Sequence, residues 1–208
     1  MKRYLLTCAC AWAAAVFAGG CSASREVKLR VEPMSRPVSY TQKFAAADYS
    51  IRSDGEFDVI LHNMVGPSGD QSGQLLQPTS SAPQQFMHVR VAWRPAIGAK
   101  ANHPAATNAS VNWYVIDDTN PREPRYLHYQ GSGLAKIDMD GEEAVFGVKP
   151  TELRLRHQRG DLSDPIGSSL LSGEGKARRD SGRVAALLQH LEDVLKQAAA
   201  PDAAPAGK

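Results

Sequence analysis

Past residue 21 the chain has no cysteine; its three, Cys8, Cys10 and Cys21, all lie near the N-terminus. A thiol-free remainder excludes a disulfide framework, a thiolate metal centre and a cysteine nucleophile. Long apolar runs are missing too: Tyr4 to Phe17 gives about 14 residues, against the roughly 18 to 20 that a spanning helix needs. Nor is there an excess of one charge. Lys and Arg total 24 against 22 Asp and Glu, and setting aside Lys2 and Arg3 with the N-terminal segment leaves 22 of each sign. A neutral chain gives no electrostatic footprint for nucleic acid. The phosphate cradles GxGxxG and GxxxxGK[ST] do not occur, and Gly173-Glu174-Gly175-Lys176 reads as a late strand rather than a fragment of one.

What is present begins with Met1 to Cys21. Lys2 and Arg3 form a cationic start, an apolar stretch follows, and Ala18-Gly19-Gly20-Cys21 closes it, the pattern of a targeting segment rather than a fold element. The closing tetrad resembles the lipobox of bacterial lipoproteins. That resemblance implies a signal peptide over 1–20, lipidation at Cys21 with palmitate-type chains, and a lipidated tether over 21–28. Several acyl chains hold a protein to a bilayer without a spanning helix. It further implies a bacterial cell envelope location. Ser22, with no aspartate after the cysteine, resembles the pattern sorted to the periplasmic face of the outer membrane in a two-membrane host.

From Val27 onward period-2 alternation dominates. Val27, Leu29 and Val31 suit a first strand ended by Pro33, whereas Ser35 to Ala47 reads as loop or a single helical turn. Tyr49 to Arg52 and Phe57 to Asn63 flank Asp54-Gly55, a hairpin signal that recurs at Asp140-Gly141 between Leu134–Asp138 and Ala144–Val148. Phe86 to Arg94, Ser110 to Asp117, Tyr126 to Gln130, Glu152 to His157 and Leu170 to Arg178 alternate likewise. Residues 66–85 and 97–108 read as loops, Gly131-Ser132-Gly133 as a bend and Lys149-Pro150 as a turn. Short strands on tight turns predict antiparallel pairing.

The period then changes. Val184, Leu187, Leu188, Leu191, Val194 and Leu195 form one stripe of a helix over 181–197, with Asp180 or Ser181 as N-cap and His190 on the wet side. Residues 198–208, rich in Ala and Pro, read as a disordered tail. The expected fold is a mainly β domain over 29–197, an antiparallel sandwich or barrel of about 8–10 strands carrying one C-terminal amphipathic helix.

Candidate chemistry is sparse. His62, His88, His103, His128, His157 and His190 show no HxH, HxxH or HExxH spacing, although four of them sit on expected strands and can converge in space. Asp138, Asp140, Glu142 and Glu143 surround Gly141 like a calcium loop, but the glutamate position of an EF-hand is Gly147, which favours an acid-rich turn. Ser68 and Ser132 are flanked by glycines without GxSxG. Arg154, Arg156 and Arg159, then Arg178, Arg179 and Arg183, make two basic groups that read as solvated strand faces or a polyanion site. Trp93 and Trp113 share faces with valines and read as core, leaving Tyr114 and Tyr126 open.

These features point to a lipid-anchored envelope module that binds or scaffolds another component, with no catalytic residue, cofactor or metal assigned. Its partners are the membrane, through the lipid, and an envelope protein, lipid or polysaccharide; nucleic acid is not expected. Two alternatives stand beside it. One is a carrier of an apolar ligand behind Trp93 and Trp113; a lipid-anchored barrel followed by a helix looks like a bacterial lipocalin in architecture. The other is an envelope hydrolase.

Overall fold

A computed structural model describes residues 26–65, 77–78, 83–92, 107–120 and 123–199. The targeting segment with Cys21, most of 66–85, Trp93, His103 and the residues after 199 lie outside the described residues. In chain order the elements are β1 (Val27–Pro33), β2 (Tyr40–Phe44), β3 (Ala46–Ile51), β4 (Phe57–His62), β5 (Met64–Val65), β6 (Gln77–Pro78), β7 (Gln84–Val91) and β8 (Ala109–Asp117). Then come β9 (Arg125–Gly133), β10 (Ala135–Asp140), β11 (Glu143–Arg159), β12 (Ser169–Arg179) and α1 (Ser181–Ala199).

Ten strands form one sheet in the order β10-β11-β9-β8-β7-β4-β3-β12-β1-β2, and β11 also pairs with β12. That additional pairing closes a circuit from β3 through β4, β7, β8, β9, β11 and β12 back to β3, which makes the sheet a barrel. Its ladders are antiparallel except at one seam, where Arg178 and Arg179 of β12 run parallel to Asp48 and Tyr49 of β3. β5 and β6 pair separately.

Alternation sorts the side chains into two layers. Phe57, Val59 and Leu61 of β4, Met87, Val89 and Val91 of β7, and Val111 and Trp113 of β8 point inward to one core that fills the barrel. Ile60, Phe86 and Ile116, from the opposite faces of the same strands, pack outward against Val184, Leu187, Leu191 and Val194 of α1. β4 is therefore buried on both faces, as its burial along the whole strand records. Fully burying each large apolar side chain is worth about 1.5–3 kcal/mol, so the leucine stripe suffices to dock a helix that makes little use of its dipole.

Several local expectations are corrected. Ser35–Ala47 is largely extended rather than loop or helical turn, since β2 covers Tyr40–Phe44 and β3 starts at Ala46. β2 pairs with β1, bringing Phe44 opposite Val27. Gly131-Ser132-Gly133 is not a bend: it completes β9, and its glycines permit a close approach of β11. A Cβ on Gly131 would stand 2.1 Å from the Glu152 carbonyl oxygen. Lys149-Pro150 is not a turn either, because β11 runs through it with a register shift between Val148 and Thr151, where a residue without an N–H is tolerated. β1 begins at Val27, as the alternation implies, so Lys28 belongs to the strand and not to the tether. α1 reaches Ala199 and buries Ala198, so the helix extends two residues into the expected tail. Asp180 is the N-cap: its Oδ1 accepts the Arg183 N–H at 2.9 Å and its C=O accepts the Val184 N–H at 3.0 Å.

Candidate functional site

The outer surface of the barrel divides into a part under α1 and a part left open. Under α1, Asp48 of β3 is 3% exposed and holds three partners. His62 Nε2 lies 3.1 Å from its Oδ2, Arg183 Nε 3.0 Å from the same oxygen, and Arg178 Nε 3.6 Å from Oδ1. Arg178 also donates to Asp180 at 2.9 Å. This buried cluster ties β3, β4 and β12 to the first turn of the helix. It accounts for two members of the second basic group: Arg178 and Arg183 are turned toward acids beneath α1 and do not form a solvated polyanion face.

His190 is also corrected. It faces the first residues of β7, with Nε2 3.2 Å from Gln84 Oε1 and its ring 5.8 Å from that of Phe86, and burial pushes its pKa down.

The open part takes in the outer faces of β9 and β11 and those parts of β7 and β8 that lie beyond Phe86 and Ile116, with Tyr114 at its border packed against the cluster beneath α1. Cross-strand pairing puts His88 beside Asn112 and Tyr114 beside His128, and His157 beside His128. The three rings of Tyr114, His128 and His157 stand in one near-parallel stack. Tyr114 and His128 are 4.3 Å apart between centroids at 9°, and His128 and His157 are 5.8 Å apart at 15°. His128 Nε2 is 3.0 Å from Asn112 Oδ1. Burial, then His157 and Arg156, lower the pKa of His128 to about 4, so it is neutral at physiological pH. Arg156 donates to Gln130 Oε1 at 3.2 Å and Arg154 to Glu152 at 2.6 Å. Both guanidinium groups stay exposed.

At the near end of this face His88 Nε2 lies 2.7 Å from Asp58 Oδ1. Burial pushes the Asp58 carboxyl up, but the His88 hydrogen bond and the charges of His88, Arg52 and Arg90 outweigh it and hold the pKa below the usual carboxylate range. Arg90 is engaged by Glu56 at 2.5 Å.

One departure from alternation builds the stack. In β11 the register passes from Leu155↔Tyr129 to His157↔His128, skipping Arg156. Strict alternation would send Leu153, Leu155 and His157 to the same face; the extra residue turns His157 outward. The run Arg156-His157-Gln158, three polar residues where a period of two demands an apolar one, was the available signal.

The remaining candidates fall elsewhere. Asp138, Asp140, Glu142 and Glu143 line the β10–β11 hairpin around Gly141, whose φ of 60° explains the glycine. Among the described residues no group of three or more His, Cys, Asp or Glu side chains is placed to hold a metal ion. Ser132 lies within β9, not on a strand-to-helix elbow. Trp113 is core at 3% exposed, against Tyr129 at 5.6 Å and Phe44 at 6.3 Å between ring centroids. A cleft of about 520 Å³ between the β8–β9 turn and the start of the β11–β12 loop is lined by Asn120, Glu123, Pro124, Arg125, Arg159, Gly160 and Asp161. Its two acids and two arginines give it no field of one sign. Arg125 already bridges Asp117 and Asp161.

Fold and face together define a filled β-barrel with a helical cover on one flank and an open polar flank beside it. No helix among the described residues is long and apolar enough to cross a membrane. No family model matches the chain, and neither a curated protein nor a solved structure matches it.

Proposed function

We propose that the chain is a lipid-anchored module of the bacterial cell envelope that binds or scaffolds another envelope component through the open face of β7, β8, β9 and β11. The observation that carries this reading is the Tyr114–His128–His157 stack, which runs from the border of the α1 cluster at Tyr114 out to exposed His157, with exposed Arg154 and Arg156 beside it. Flat rings, two amides and two exposed guanidinium groups suit a polar, anionic surface, because arginine meets carboxylate or phosphate with a rigid fork of donors. The Met1–Cys21 segment supports the anchor, since it supplies the cysteine that the lipobox pattern requires. A closed barrel whose interior is occupied by its own side chains supports a surface binder over an open-cavity carrier.

The test is co-sedimentation of the purified chain with washed bacterial envelope fragments. Arg154→Glu with Arg156→Glu should reduce the bound fraction about tenfold, the factor that 1.4 kcal/mol makes. Lys136→Glu with Lys176→Glu, an equal change of charge on the β10–β12 side, should leave it unchanged. Equal loss from both pairs would reduce the interaction to net charge and defeat the assignment of the face.

A further inference from the structure

The cleft beside the β8–β9 turn lies at the end of the barrel opposite Val27. Ser169 pairs with Pro33 and the Met34 N–H donates to the Ser168 carbonyl at 2.8 Å, which sets the β11–β12 loop at the Pro33 end of β1. That loop lines the cleft with Arg159, Gly160 and Asp161, and the turn into β9 lines it with Asn120, Glu123 and Arg125. At about 520 Å³ the cleft has the size of a small-molecule site.

Two of its four charges are spent on each other. Arg125 donates to Asp161 at 2.6 Å and also to Asp117, whose Oδ1 in turn accepts the Thr119 N–H at 3.1 Å and hydroxyl at 2.7 Å. Gly160 closes the loop onto this network: its φ is 78°, and a Cβ there would stand 2.6 Å from Arg125 Cγ. The other two charges are left over. Among the described residues Arg159 meets no carboxylate and Glu123 meets no cation. Glu123 accepts the Asn120 amide at 3.4 Å, a long contact. Arg159 is half-buried, so its guanidinium gives up part of its hydration with no carboxylate in return.

We infer that this cleft is a second binding site, for a short zwitterionic peptide whose carboxylate meets Arg159 and whose terminal ammonium meets Glu123. A ligand of one sign satisfies one of these groups and is repelled by the other, whereas a dipolar ligand answers both. A guanidinium takes phosphate as readily as carboxylate, so a zwitterionic lipid headgroup carries the same pair of charges. Position decides for the peptide. The N-terminal segment leaves the barrel at Val27, and a cleft at the opposite end faces away from a bilayer anchored there. The inference makes no use of the outer-face stack.

The test is titration of the full chain with trialanine, followed by NMR through the amide signals of Gly160 and Asp161. N-acetyl-trialanine, which lacks the ammonium, and trialaninamide, which lacks the carboxylate, should each bind about tenfold more weakly. Arg159→Gln should bind trialanine no better than trialaninamide and keep the preference for a free ammonium; Glu123→Gln should do the reverse. Neither charge is engaged within the chain, so both variants should melt with the parent, and the three ligands on the parent chain test the pair of charges without any variant. No response to trialanine up to about 10 mM overturns the inference, as do capped peptides that bind equally well or a substitution that weakens all three ligands alike. Glycerophosphoethanolamine is the headgroup comparison, and tighter binding of it than of trialanine overturns the peptide assignment.

Discussion

Gly131→Ala tests the seam on which the outer face is built. The added Cβ would lie 2.1 Å from the Glu152 carbonyl oxygen and 2.8 Å from a Leu153 methyl group. Close carbon–oxygen contacts between strands settle near 3.3 Å, so β11 must retreat by about 1.2 Å. The Glu152 oxygen is backbone and cannot swing aside. The retreat disturbs the ladder at Leu153↔Gly131 and Arg154↔Gln130. Each weakened hydrogen bond removes about 0.5–1.5 kcal/mol and the repacking about 1–3 kcal/mol, while the stiffer unfolded chain returns about 0.4–1 kcal/mol. The net loss is about 2–4 kcal/mol, read as a lower urea midpoint at constant slope by far-UV circular dichroism. Gly141→Ala is the comparison: φ is 60° there but no atom lies within 4 Å, so only about 1–2 kcal/mol of backbone strain applies. A Gly131→Ala chain as stable as Gly141→Ala would refute the close approach of β9 and β11.

Asp48→Ala leaves the partly buried Arg183 and Arg178 without their shared carboxylate, and should cost about 1.5–3 kcal/mol by the same denaturation assay; a loss below about 1 kcal/mol would show that α1 is not tied down there. His128 has a folded pKa near 4 against an ordinary value of 6.5, so the unfolded chain binds more protons between these values and stability rises with pH across that window. His128→Gln should flatten the dependence of melting temperature on pH between about 4 and 6.5, and an unchanged slope would mean that the imidazole is not desolvated. Cys21→Ser should abolish palmitate labelling in a bacterial host and release the chain from the membrane fraction; undiminished labelling would remove the anchor from the account.

Most of the architecture was legible in the alternation of apolar residues. Phe57, Val59 and Leu61 against Asp58, Ile60 and His62 defined both faces of β4, and the two Asp-Gly turns fixed hairpins at Gly55 and Gly141. What was not legible depended on partners distant in sequence. Glycines in β9 look like a bend until β11 is brought against them. Pro150 looks like a turn until the neighbouring strand shows a bulge. His190 looks solvated until Gln84 and Phe86 arrive beside it. The candidate face was half visible: His128 and His157 fall on strands by their alternation, but their stacking needs the one-residue slip at Arg156, a property of the pair of strands rather than of either alone.

The account rests on the open face as a binding surface. It is tested most directly by a photo-crosslinking residue placed at Arg156 in the living host, beside the same residue at Lys136 on exposed β10. The account predicts a discrete crosslinked envelope species from position 156 and none from position 136. Silence at 156, or the same species from both positions, would contradict it.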